Sequence, residues 1–151
     1  MITKPEIADA LPIFRHVHTF SGHLAAVAAA NATIAICERE NLIARAKENG
    51  AYFLDALKTA LETHPIVGQV RGLGMWVAVD LTADKKTKAP FADETVNAVV
   101  RRMRELGVLV CSNGTAFELA PPLITERKEL DRTVEVSAQA INDVARARHL
   151  A

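Results

Sequence analysis

The stretch Val67-Gly68-Gln69-Val70-Arg71-Gly72-Leu73-Gly74-Met75-Trp76-Val77-Ala78-Val79-Asp80-Leu81 decides how the rest of the chain is assembled. It reads as two strand segments about Gly72 and Gly74, with Met75, Val77 and Val79 alternating against Trp76, Ala78 and Asp80. Alternation with a period of two marks a strand with one buried face. Met75 and Trp76 are most simply core. The run Arg71-Gly72-Leu73-Gly74 is not a dinucleotide loop. A strand follows it where a helix is needed, and Val77 stands where the third glycine belongs.

Two helices precede this stretch. The first is expected from about Gly22 to Arg39 and is built almost wholly of small residues, among them Ala25, Ala26, Ala28, Ala29, Ala30, Ala32 and Ala35. A helix apolar on nearly every side expects cover from more than one direction. The polar run Glu38-Arg39-Glu40-Asn41 breaks it. The second helix carries Leu42, Ala46, Phe53, Leu57, Ala60 and Leu61 near a 3.6-residue period and ends at His64-Pro65. Before both lies a short lead-in over residues 1–15, where Pro5 starts a brief helix and Pro12 stops it.

Downstream, Thr82 to Pro90 reads as a solvated loop. A third helix starts near Ala92-Asp93-Glu94, turns Val96, Val99, Val100, Met103 and Leu106 inward, and is closed by Gly107. Val108 to Cys111 reads as a strand, Ser112-Asn113-Gly114-Thr115 as a hairpin turn, and Ala116 to Ala120 as the return strand. Thr125-Glu126 opens a last helix with Leu130, Val134, Ala138, Ile141 and Val144 on one stripe. The order predicts an α+β fold, in which long helices are followed by a small antiparallel sheet with helices on one face.

Composition narrows the function. Lys and Arg total 18, as do Asp and Glu, so the formal net charge is zero and nothing argues for nucleic acid. Apolar residues make up 50% of the 151, a figure inflated by alanine, with no run long enough to cross a bilayer. The start Met1-Ile2-Thr3-Lys4-Pro5-Glu6 lacks the apolar core of a signal peptide, so a cytoplasmic protein is expected. Cys37 and Cys111 are too few and too scattered for a disulfide framework or a metal knuckle.

The remaining chemistry lies in His18-Thr19-Phe20-Ser21-Gly22-His23, just before the Ala-rich helix. Two hydroxyls and several backbone N–H groups lie at a helix N-terminus, which favours an anion. The plain alternative is N-capping by Ser21 or Thr19. His16, His18 and His23 have a spacing too weak to assign a metal. Cys111 has no histidine near it in sequence to make it a nucleophile, and Arg101, Arg102 and Arg104 are most simply a wet helix face.

The stretch HTFSGH at 18–23 resembles the class III aminotransferases, a branch of the fold-type I enzymes that depend on pyridoxal 5'-phosphate (PLP). Val67 to Trp76 resembles the family's strand after its long helix, and Ala120-Pro121-Pro122-Leu123-Ile124-Thr125 resembles its PPL-I-T segment. The resemblance runs from about Glu6 to Val144. It implies residues 1–21 as a lead-in and phosphate-contact segment, 22–64 as long interdomain helices, and 65–151 as the small C-terminal domain.

It further implies that the Thr19 hydroxyl and a neighbouring N–H bind the phosphate of PLP held by the other subunit of a homodimer, with His18 beside it in sequence. The family's usual proline is replaced by Leu24. The family's Schiff-base lysine lies upstream of HTFSGH. None of Lys4, Lys47, Lys58, Lys85, Lys86, Lys88 or Lys128 has its context. The chain therefore resembles the C-terminal part of an aminotransferase, with no catalytic residue of its own and inactive without the large domain.

Substrate contact falls, by the same resemblance, at Glu118 and at the strand ending at Cys111, where family members often place arginines. Glu118 would repel a substrate carboxylate or attract an amine, or simply point outward between Phe117 and Leu119. An amine or amino acid donor and a keto acid acceptor are the implied substrates. Two rival expectations are a non-catalytic binding or metal-binding module and one half of a split aminotransferase.

Overall fold

A computed structural model describes residues 4–10, 18–91 and 94–150. Along the chain these form α1 (Pro5–Ala8), α2 (Leu24–Arg39), α3 (Leu42–Leu61), β1 (Val67–Leu73), β2 (Trp76–Leu81), α4 (Thr95–Glu105), β3 (Cys111–Asn113), β4 (Ala116–Leu119) and α5 (Arg127–Ala147). The chain divides into two compact units, residues 1–36 and 37–151.

Helix α2 buries none of its residues, as its uniform alanine content gives it no apolar stripe. It stops where Glu40 and Asn41 intervene. Asn41 takes a left-handed conformation (φ 51°), which asparagine tolerates better than most residues. Helix α3 is amphipathic, and Leu42, Phe53, Leu57 and Leu61 are buried along it.

The sheet is antiparallel, in the order β1-β2-β4-β3. Its register sets Val70, Val79 and Phe117 side by side, and beside them Gly72, Val77 and Leu119. These side chains join Phe53, Leu57, Val99, Met103, Leu130 and Ile141 in one core under α3, α4 and α5. Backbone alternation then places Arg71, Ala78, Glu118 and Cys111 in a row on the opposite face, turned away from α3, α4 and α5.

Four expectations need correction. Trp76 is not core: it is 63% exposed, because Val77 and Val79 already take the inward positions of β2, while Met75 is buried. The strand before the second hairpin is Cys111–Asn113 and not Val108 to Cys111. Continued in the same register, Val108 would face Pro121, which has no N–H to give to a ladder. The buried stripe of α5 runs through Leu130, Val136, Ser137, Ala140, Ile141, Val144 and Ala145, with Val134 and Ala138 at its edge. Small residues there let the helix come close, and the Ser137 hydroxyl donates to the Thr133 carbonyl within the helix (2.7 Å). Finally, the loop after β2 is solvated but pinned at its base. Thr82 is buried, and its hydroxyl donates to the Ala89 carbonyl at 2.7 Å.

The expected stop of the brief first helix at Pro12 and the expected start of the third helix at Ala92-Asp93 lie outside the described residues. Helix α5 opens with a reciprocal capping box between Glu126 and Glu129, whose carboxylate accepts the Glu126 N–H at 2.8 Å.

Helix α3 meets the β1–β2 turn at two glycines. A Cβ added to Gly50 would lie 2.2 Å from the Gly74 carbonyl oxygen, and one added to Gly72 would lie 2.5 Å from that of Trp76. Both obstacles are backbone. Gly50→Ala should therefore cost about 2 kcal/mol or more in a urea melt, although alanine is the better helix former.

His64, after α3, sits below the ordinary value of 6.5 mainly because burial disfavours its charged form; a hydrogen bond with Asn142 acts the other way and Lys85 adds to the lowering. The folded chain thus holds this proton less tightly than the unfolded chain. Its stabilisation is present above 6.5 and is lost as pH falls through the lower folded value. Unfolding melts from pH 7.5 to 5 should show declining stability, and His64→Gln should flatten the slope.

Candidate functional site

Two places in the chain carry chemistry, one in each compact unit. The first is the turn before α2. The Ser21 N–H donates to the His18 carbonyl (3.1 Å) and the His23 N–H to that of Phe20 (3.2 Å), with Gly22 at φ 74° where a side chain would be strained. The His23 ring then folds over the helix start, and its Nδ1 accepts the N–H of Ala26 at 3.2 Å. Phe20 packs edge-on to the ring, with centroids 6.2 Å apart.

The cap of α2 is therefore His23, and neither Thr19 nor Ser21 fills that role. Both hydroxyls, and the N–H groups of Thr19, Phe20 and Gly22, make no hydrogen bond among the described residues. Leu24 is the first helical residue, a position that also tolerates proline. This turn offers donors to an acceptor from outside, and an anion fits best.

The second place is the sheet face turned away from α3, α4 and α5. Register sets Cys111 directly opposite Glu118, so two residues picked from sequence as substrate contacts share one row. Glu118 is half-buried and held at both oxygens: the Trp76 indole N–H donates to one (3.1 Å) and the Asn113 amide to the other (2.9 Å). One row away, Asp80 accepts from Arg71 at one oxygen and from the Thr115 hydroxyl at the other (2.5 Å). Beside Glu118, Ala78 floors an open groove of about 560 Å³, rimmed by Arg71, Leu73, Trp76 and Glu118.

Sequence reasoning missed Trp76, Asn113, Arg71 and Asp80 as members of this face. Alternation through Val77 and Val79 was the signal that could have found Trp76 and Asp80. The Pro121-Pro122 segment, by contrast, is anchored from outside the sheet. Arg45 of α3 donates to the Ile124 carbonyl at 2.7 Å, and both Arg45 (3.3 Å) and Asn49 (3.4 Å) reach that of Thr125. Its role is to tie α3 to the start of α5. Among the described residues no three His, Cys, Asp or Glu side chains converge as metal ligands, and His16 lies outside them. No helix among them is long and apolar enough to cross a membrane.

Known proteins resemble this chain along most of its length. The family model "Aminotransferase class-III" matches residues 1–141. A taurine–pyruvate aminotransferase of Bilophila wadsworthia is 36% identical over 134 residues, covering 84% of this chain and 29% of that protein. A leucine/methionine racemase of Thermococcus litoralis is 36% identical over 149 residues, covering 98% of this chain and 33% of that one. The crystal structure of a Bacillus anthracis aminotransferase superposes with a TM-score of 0.84 at 33% identity, over 93% of this chain and 34% of that chain. The chain thus spans about a third of the length of the relatives it matches.

The cap assignment is testable by itself. His23→Ala should destabilise α2 by about 1 kcal/mol, read as faster amide exchange at Ala26 and its neighbours. Ser21→Ala and Thr19→Val should leave that exchange unchanged.

Proposed function

The chain belongs to the class III aminotransferase family, and from that premise we propose that it is the C-terminal part of a PLP-dependent, homodimeric cytoplasmic aminotransferase. In this reading it moves an amino group from an amine or amino acid to a keto acid once joined to a large domain. The observation that carries the reading is that the hydroxyls of Thr19 and Ser21 and the N–H groups of Thr19, Phe20 and Gly22 make no hydrogen bond among the described residues, His23 being the helix cap. A phosphate dianion suits a hydroxyl and N–H groups at a helix start.

Bound PLP supplies the electron sink that such amino-group chemistry needs. This chain's share is binding and shape. Thr19 donates its hydroxyl to a phosphate oxygen held by the neighbouring subunit, and His18 flanks that contact. Glu118 and Cys111 form part of one wall of the substrate pocket, Glu118 fixed in place by Trp76 and Asn113. The proton-transferring lysine comes from the large domain, since no lysine here has the required context. That a racemase and an aminotransferase resemble this region equally well, at 36% identity each, supports placing the choice of reaction in the large domain.

In a chain joined to the large-domain residues, Thr19→Val should weaken PLP retention about tenfold, the loss of one hydrogen bond to a charged group. PLP titration reads this directly. The denaturant melt should not change. Unaltered PLP affinity would remove Thr19 from the phosphate site.

A further inference from the structure

The two carboxylates on the sheet face away from α3, α4 and α5 are not balanced alike. Asp80 is paired with the Arg71 guanidinium. Glu118 has two partners, an indole N–H and a side-chain amide, and both are neutral. Among the described residues it has no cationic partner. The groove lined by Arg71, Trp76, Ala78 and Glu118 therefore has at its Glu118 end a carboxylate without an ion-pair partner among the described residues.

Geometry adds to charge. The Trp76 indole is pinned at its N–H end by Glu118 yet remains 63% exposed, so a fixed aromatic ring lies beside the unpaired carboxylate. Ala78 stands between Arg71 and Glu118 in the register and leaves the floor low. Each Glu118 oxygen has spent one acceptor site and keeps another. A compact cation with several N–H donors can use both that carboxylate and the ring.

We propose that this groove binds a primary alkylammonium group, held by the Glu118 carboxylate and the Trp76 ring. The proposal rests on reading this face as a wall of the substrate pocket for its meaning in the enzyme. There it makes the substrate one that carries a second, non-reacting amino group. Arg71, its charge taken up by Asp80, marks the far edge of the groove.

Trp76 is the sole tryptophan of the chain, so its emission reports on the groove alone. Titration of the 151-residue chain with n-butylammonium chloride at constant ionic strength should give a saturable emission change, whereas butyrate and n-butanol should give none. Glu118→Gln should weaken butylammonium binding about tenfold. Ala78→Leu should abolish it by filling the floor while leaving the carboxylate in place, which keeps the test open if one variant melts early. Butyrate binding as well as butylammonium, no saturable change, or full affinity in a folded Glu118→Gln chain would each overturn the proposal. PLP retention by Thr19 is measured separately. Groove binding with a failed Thr19 test would leave the ammonium site standing and remove only the phosphate contact.

Discussion

The unit from residue 37 onward depends on one close approach, helix α3 lying against the β1–β2 turn where Gly50 meets Gly74. No other residue at position 50 leaves room, since the obstacle is a peptide carbonyl and cannot rotate away. That contact brings Phe53, Leu57 and Leu61 down onto Val70, Val77 and Val79, and so closes the core over one face of the sheet. It also brings Arg45 and Asn49 within reach of the carbonyls of Ile124 and Thr125, which sets where α5 begins. The other sheet face is the same event seen from behind: α3, α4 and α5 are all spent on one side.

Much of this was legible in the sequence, for identifiable reasons. Long periodic segments announced α3, α4 and α5, and the paired glycines between two alternating runs announced the first hairpin. What failed were judgements that depend on a partner. Trp76 looked like core because it is large and apolar, but its neighbours Val77 and Val79 had already claimed the inward side. The strand expected at Val108 to Cys111 had good β-formers and no partner, because Pro121 cannot supply a ladder N–H. On α5 the expected stripe passed over Val136 as well as the small Ser137, Ala140 and Ala145, all of which are buried. The cap of α2 went to His23, since a side chain's reach over a turn cannot be read from residue type alone.

The candidate site was less legible than the fold. Glu118 and Cys111 came from resemblance, and only the register made them neighbours. Asn113 is invisible in a linear reading, because it lies five positions from Glu118 across a two-residue hairpin loop. Such pairings arise from the tight Gly114-Thr115 turn, which takes φ 60° at the glycine and folds β3 back beside β4.

The turn before α2 shows how one contact can release others. A helix start must satisfy its first N–H groups, and serine or threonine beside it ordinarily does so. Here the His23 ring reaches Ala26, and Gly22, at a positive φ that glycine adopts freely, carries the tight turn just before it. Had Ser21 been the cap, its oxygen would be committed inward and unavailable to a ligand. With an imidazole in that place, both hydroxyls and the N–H groups of Thr19, Phe20 and Gly22 make no hydrogen bond among the described residues. A histidine directly ahead of the helix thus separates two tasks that one hydroxyl would otherwise have to share, ending the helix and presenting donors to an anion.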